Sequence, residues 1–390
     1  MHSAGLCLSP MHKRPITAAL AAALAAATLG VVPPAGAEGE PLKVDVGQIL
    51  GANFAIANPP GPWNHRVLML AHGYRPESAP LIADLHPERA SLKAALDEGW
   101  IVATTSYRRN GLIVGDAIAD LDALRAYIAS AYGEPERVIL EGESLGGLIV
   151  TIMAEREVGP YDGAVVFDAT LYAKEPSMQT GLSLLPRVPL LFLSTQRETA
   201  ETKSYLTALV ARPPPVVQPV LFLIQREGHT NINQAEHLEA FRALNAWIDG
   251  GRDALPQPKD QARYFDATVP PDPGPSTAVV LPGGKGFGTA VAEVDAVYGN
   301  VLLEAQAQDF AAAGIPPMTF CTVHAGSKDY RALYGRTYSD VKEKEWIAFP
   351  DADGRTVLSR FFGNAAGTAG LRLGDTVTFV PVEPGPAPSH

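Results

Sequence analysis

Ser144 stands in the run Gly142-Glu143-Ser144-Leu145-Gly146, followed by Gly147. Val138-Ile139-Leu140 before it reads as a buried strand, and residues 145–153 after it read as a helix. A serine in that place sits on a sharp strand-to-helix turn that lifts its oxygen above the sheet. The glycines on either side remove side chains that would collide in so tight a turn. The helix then points its N-terminal amides at the serine oxygen. Such a serine can attack a carbonyl carbon. A hydroxyl is a weak nucleophile, so it needs a base, a group to orient the base, and donors for the oxyanion that forms.

The base is expected after the last strand of the same sheet. Leu221–Ile224 is that strand, and Gln225-Arg226-Glu227-Gly228-His229 leads off its end, which selects His229. His72 precedes the serine and has another use, His86 lies in a loop before Pro87, and His237 falls inside a helical pattern. The orienting acid should follow the preceding strand at 190–193. There the chain reads Ser194-Thr195-Gln196-Arg197-Glu198 without an aspartate, so Glu198 is the first candidate. Glu201 lies three residues on. Asp168, ending the strand at 163–167, could reach the same space. An acid in this role accepts the imidazole N–H and stabilises the imidazolium, which a glutamate can do. For the oxyanion, one donor is the amide of Leu145. The second is the backbone of Tyr74, in the loop Ala71-His72-Gly73-Tyr74-Arg75.

The elements that must position these residues alternate. Strand patterns at 67–70, 101–105, 137–141, 163–167, 189–193 and 219–224 are separated by helical patterns at 90–98, 116–132, 145–155, 202–211 and 234–249. Strands alternating with helices predict an α/β domain, a mostly parallel sheet covered on both faces. Residues 43–58 add an antiparallel hairpin in front. After Gly250 the composition shifts. Residues 255–285 are rich in Pro, Gly and Asp and read as a linker that could fold back on a domain surface. Strand patterns then return at 291–297, 301–304, 319–323, 346–349, 357–361 and 376–380 with little helix between, which predicts a small β-rich second domain over 286–382 and a disordered tail at 383–390.

His72-Gly73, Gly142–Gly147 and Gly228-His229, in this order, resemble the α/β-hydrolase superfamily over residues 43–250. The resemblance implies a three-layer sandwich and acyl transfer to water through the order Ser144, Glu198, His229. It departs from the family where the usual aspartate is absent. The Gly-Glu-Ser-x-Gly-Gly form recurs among carboxylesterases and among feruloyl-esterase-like and peptidase-like members. The second domain resembles a different family. Glu293-Val294-Asp295-Ala296-Val297-Tyr298-Gly299-Asn300, Tyr334–Val341, Gly363-Asn364-Ala365-Ala366 and Leu373–Val377 are similar, in order and spacing, to the C-terminal β-barrel domain of the S-adenosylmethionine hydroxide adenosyltransferases. One extra residue separates Asp295 from Tyr298. The resemblance places Asn300 and the Asn364 segment at positions that face an adenosyl ligand. The N-terminal partner domain of that family has no counterpart here, so adenosyl transfer is not implied; a structural or substrate-covering role is expected, with retained nucleoside binding as the alternative.

The chain of 390 residues carries a net charge of −11. Residues 1–37 hold no Asp or Glu. They run from Lys13 and Arg14 through an apolar stretch to Ala35-Gly36-Ala37, which reads as a signal peptide and predicts a secreted or periplasmic protein. Without Lys13 and Arg14 the charge becomes −13, a surface that repels nucleic acid and anionic lipid. No later stretch is apolar and long enough to span a bilayer. Of the two cysteines, Cys7 precedes the apolar stretch and Cys321 reads as a small buried hydrophobe, so neither a disulfide nor a cysteine metal site is expected. The expectation is a serine hydrolase of small or polymeric carboxylic esters that needs no metal or organic cofactor. A peptidase of the same fold is one rival. A binding protein with a degenerate triad is another. Every candidate lies before Gly250, so the second domain is expected to be dispensable for the chemistry.

Overall fold

The computed structural model describes residues 42–157, 159–172, 181–255 and 264–382. The proposed signal peptide, residues 173–180, residues 256–263 of the linker and the tail at 383–390 lie outside them.

A hairpin of β1 (Val44–Ile49) and β2 (Ala52–Ala57) opens the first domain. Then β3 (Arg66–Ala71), β4 (Ile101–Thr105), β5 (Arg137–Glu143), β6 (Gly163–Phe167), β7 (Leu190–Thr195) and β8 (Val220–Ile224) alternate with α1 (Ala90–Asp97), α2 (Val114–Tyr132), α3 (Leu145–Ala154), α4 (Thr199–Leu209) and α5 (Gln234–Gly250). The strands lie in the order β1-β2-β4-β3-β5-β6-β7-β8, with β3 to β8 parallel and β1 and β2 antiparallel at one edge. This is the α/β-hydrolase arrangement.

Both faces of the sheet are apolar, so successive residues of one strand enter different cores. Val67 and Met69, Val138 and Leu140, and Leu190 and Phe192 pack with α2, α3 and α4. Leu68, Ile139, Leu191 and Leu193 face the layer of α1 and α5, where Leu92, Leu96, Phe241, Leu244 and Trp247 meet them. Period-two alternation between two buried faces is why these strands read as unbroken apolar runs. Parallel strands share one direction, so the loops after β3, β5, β6, β7 and β8 emerge at one edge.

The stretch after Gly250 folds back on the first domain. It returns to the sheet as β9 (Phe265–Asp266), parallel to β8. Its Val269 amide donates to Glu236 at 2.9 Å, and its carbonyl accepts from Arg226 and Asn233. A Cβ on Gly354 of the second domain would lie 3.0 Å from Pro273 and 3.2 Å from Pro271.

That second domain comprises β10 (Val279–Val280), β11 (Phe287–Val294), β12 (Val301–Gln306), α6 (Ala307–Ala312), β13 (Thr319–Ala325), β14 (Lys328–Tyr334), β15 (Trp346–Pro350), β16 (Arg355–Arg360), α7 (Ala365–Ala369) and β17 (Thr376–Pro381). The order β11-β12-β16-β15-β14-β13-β17, closed by β17 pairing with β11, makes a seven-stranded barrel to which β10 is appended. Phe287, Phe310, Tyr334 and Phe379 fill it, with the rings of Phe310 and Tyr334 stacked at 3.9 Å. Cys321 is buried, and burial pushes its thiol up to about 12, as suits an inert core residue. Among the described residues no helix is long and apolar enough to cross a membrane, and no group of His, Cys, Asp and Glu could hold a metal.

Candidate active site

The turn from β5 into α3 places Ser144 at φ 52° and ψ −117°, a strained backbone for a residue with a side chain. Close packing explains why this is possible only with glycine around it. A Cβ on Gly142 would lie 2.4 Å from the carbonyl oxygen of Gly146, and one on Gly146 would lie 2.0 Å from that of Ala71. A Cβ on Gly147 would meet that of Ala169 at 2.7 Å. Leu145 opens α3, so its amide has no carbonyl within the helix to bond. The loop after β3 abuts the serine: a Cβ on Gly73 would lie 3.2 Å from the Cβ of Ser144.

His229 Nε2 stands 2.9 Å from Ser144 Oγ, and His229 Nδ1 stands 3.2 Å from Glu198 Oε2. The bond from Nδ1–H fixes the tautomer that leaves Nε2 free to accept the serine proton. The bond to Glu198 raises the His229 pKa above 6.5, and the same bond lowers that of Glu198. Glu198 precedes the first turn of α4, which begins at Thr199 rather than at the 202 read from the sequence. A carboxylate there is favoured by the helix dipole.

Asp168 and Glu201 lie elsewhere. Asp168 is 1% exposed and accepts from the amide of Thr195 at 2.7 Å, from the amide of Thr230 at 2.7 Å and from Thr195 Oγ1 at 3.0 Å. It ties the segment that leads to Glu198 to the loop that carries His229, without a hydrogen bond to His229 itself. Burial raises its pKa to about 6. Glu201 accepts from the amide of Tyr172 at 3.3 Å.

The competing histidines are all engaged away from Ser144. His72 donates from Nδ1 to the carbonyl of Gly73 at 2.7 Å and packs on Tyr107. Burial, reinforced by Arg75, lowers its pKa to about 4, so it is a neutral part of the loop. His86 lies between Asp84 and Glu88, and His237 bonds Glu141 and stacks on Phe167. The helix after His229 starts from a capping box of Asn233 and Glu236. Glu236, 1% exposed, also holds Arg226. This cap fixes where the loop carrying His229 ends.

The barrel also reaches the site. The hydroxyl of Tyr298 donates to the carbonyl oxygen of Tyr74, in the loop beside Ser144. Arg89 pairs with Glu293 at 3.1 Å, and Arg336 lies 3.7 Å from Glu227 in the loop that leads to His229. Asn300 bonds Asp295, Tyr338 and Ser359, and the Asn364 side chain caps α7 against Gly299. The two asparagines expected to face an adenosyl ligand thus hold the barrel's own turns. Asp295 does likewise, accepting from the amides of Val297 and Tyr298.

The sequence profile of the SAM hydroxide adenosyltransferase C-terminal domain matches residues 289–378, which lie within the barrel. No curated protein matches the chain. Among solved structures, the chain is similar to a conserved protein from Thermotoga maritima, with 20% identity over 37% of this chain and 49% of that one and a TM-score of 0.25. Dipeptidyl peptidase 4 of Porphyromonas gingivalis aligns with 13% identity over 54% of this chain and 35% of its own, with a TM-score of 0.40. An esterase of Pyrococcus furiosus aligns with 18% identity over 46% and 77%, with a TM-score of 0.33. The chain thus spans about half of the Thermotoga protein and about a third of the peptidase.

Proposed function

We propose that the chain is a serine hydrolase of carboxylic esters. The observation that carries this reading is the line Glu198–His229–Ser144, with contacts of 3.2 and 2.9 Å, ending on a serine at φ 52°. Ser144 Oγ attacks the ester carbonyl carbon while its proton passes to His229 Nε2. Glu198 stabilises the imidazolium. The amides of Leu145 and Tyr74 bind the oxyanion of the tetrahedral intermediate. Collapse breaks the bond to the alcohol oxygen, which takes the proton from His229 and leaves an acyl group on Ser144. Water, activated by the same histidine, then releases the acid.

Labelling by a fluorophosphonate tests the reading. The wild-type protein should be labelled and Ser144→Ala should not. A matched panel of esters and peptides then separates an esterase from a peptidase, and turnover of peptides alone would refute the ester reading. The basic start, apolar stretch and Ala35-Gly36-Ala37 of residues 1–37 support export with cleavage after Ala37. Mass spectrometry of protein recovered outside the cytoplasm should find the N-terminus at Glu38. Retention of Met1 or Met11 there would refute export with cleavage.

A further inference from the structure

We propose that Tyr298 of the barrel is a positioning residue for the oxyanion loop, so that the active site is completed by the second domain. The inference rests on the reading of Ser144 as nucleophile. The loop that follows β3 carries the Tyr74 amide on one side of that residue and the Tyr74 carbonyl on the other. The Tyr298 hydroxyl bonds that carbonyl and so limits rotation of the next peptide plane.

Tyr298 is itself mounted rigidly. Its turn between β11 and β12 is closed by the amides of Val297 and Tyr298 on Asp295 Oδ1, at 2.7 and 3.0 Å, and by the Gly299 amide on the Asp295 carbonyl at 2.9 Å. Gly299 sits at φ 70° with the Asn364 side chain 2.2 Å from where its Cβ would be, so the turn cannot shift toward α7. The amide of Ala366 bonds the Gly299 carbonyl at 2.9 Å. A second tie lies on the same two segments: Glu293 meets Arg89 at 3.1 Å and His86 at 3.9 Å, at the far end of the loop that Tyr74 begins. Inside that loop buried Arg75 donates to the Ile82 carbonyl at 2.6 Å. The loop is therefore fastened to the barrel at both ends and braced within. Although Tyr298 is 41% exposed, partial desolvation raises its hydroxyl to about 12, so it stays protonated near neutral pH.

A displaced oxyanion donor costs transition-state binding and leaves ground-state binding alone. In the full chain, Tyr298→Phe keeps the ring and removes only the donor. It should lower kcat for a small ester on the order of 10-fold with KM little changed. Active sites are counted by fluorophosphonate titration, so loss of folded protein does not enter kcat. The acid limb of the pH profile, which reports His229, should stay in place. A second variant, Glu293→Gln, loosens the other tie and should lower kcat in the same sense.

Two results overturn the inference alone: labelled Tyr298→Phe with wild-type kcat per titrated site, or a rise in KM at constant kcat. A wild-type protein that the probe does not label overturns the hydrolase reading, and this inference with it.

Discussion

Replacing Glu198 by glutamine removes one negative charge from beside His229 and leaves an acceptor of the same size. The consequence can be sized from exposure. The side chains of His229 and Glu198 are 43% and 37% exposed, and the contact is 3.2 Å. Two unit charges about 4 Å apart attract by about 1 kcal/mol in water and by about 4 kcal/mol at the surface-like dielectric of about 20. A half-exposed pair falls between these, at about 2 kcal/mol, which is roughly a 30-fold loss in kcat/KM at about 1.4 kcal/mol per tenfold. That is far short of the ~10⁴-fold loss that follows neutralising a buried triad aspartate.

The pH profile gives an independent reading. A protonated His229 cannot take the serine proton, so activity rises with pH through the His229 pKa. Glu198 is the chief cause holding that pKa above 6.5, so Glu198→Gln should move the acid limb to lower pH. Initial rates on a chromogenic ester from pH 5 to 9, normalised to titrated sites, measure both effects. A variant within about threefold of wild type with its acid limb unmoved would show that Glu198 is a bystander. A larger loss in Asp168→Asn than in Glu198→Gln would move the acid to the end of β6.

Other outcomes follow from the same geometry. Ser144→Ala should lose roughly 10⁴- to 10⁶-fold in turnover and remain folded, checked by circular dichroism beside the rate. Asp168→Asn should cost about 1–3 kcal/mol in denaturant unfolding, because its amide group would face the Thr195 or Thr230 N–H that the carboxylate now accepts. Its kcat per titrated site should fall less than that of Glu198→Gln. Gly146→Ala places a Cβ 2.0 Å from the Ala71 carbonyl, so it should destabilise by more than about 4 kcal/mol or give insoluble protein; a soluble variant that melts like wild type would contradict the packing of the turn.

Strands buried on both faces announced themselves: Ile101–Thr105 and Gly163–Phe167 have the bounds their apolar runs implied. The placement of His229 beside Ser144 was also legible, because the histidine ends a run that follows the last long strand. β14 was missed, since Lys328, Asp329 and Arg331 give it no apolar run. It is a strand because it pairs with β13 across the Gly326 turn, with Arg331 lying 3.4 Å over the Phe320 ring. Asp168 could be placed at the right edge of the sheet from its strand, but its task depends on which amides two loops turn toward it. The contact of Tyr298 with Tyr74 spans 224 positions and two domains. No local pattern encodes it, although the Asp295–Asn300 turn that aims the tyrosine was visible as a motif.

The two residues of β9 have a consequence out of proportion to their length. β8 reads Val-Leu-Phe-Leu-Ile, five apolar residues of strong strand propensity without a charge, the kind of segment that recruits another chain when its edge lies open. The linker covers that edge. Phe265 and Asp266 pair beside Phe222 and Leu223, the Ala267 amide takes the Leu223 carbonyl at 3.1 Å, and Thr268 Oγ1 takes the Gln225 amide at 2.7 Å. A segment rich in proline and glycine thereby occupies part of a strand edge that would otherwise be open to pairing with another chain.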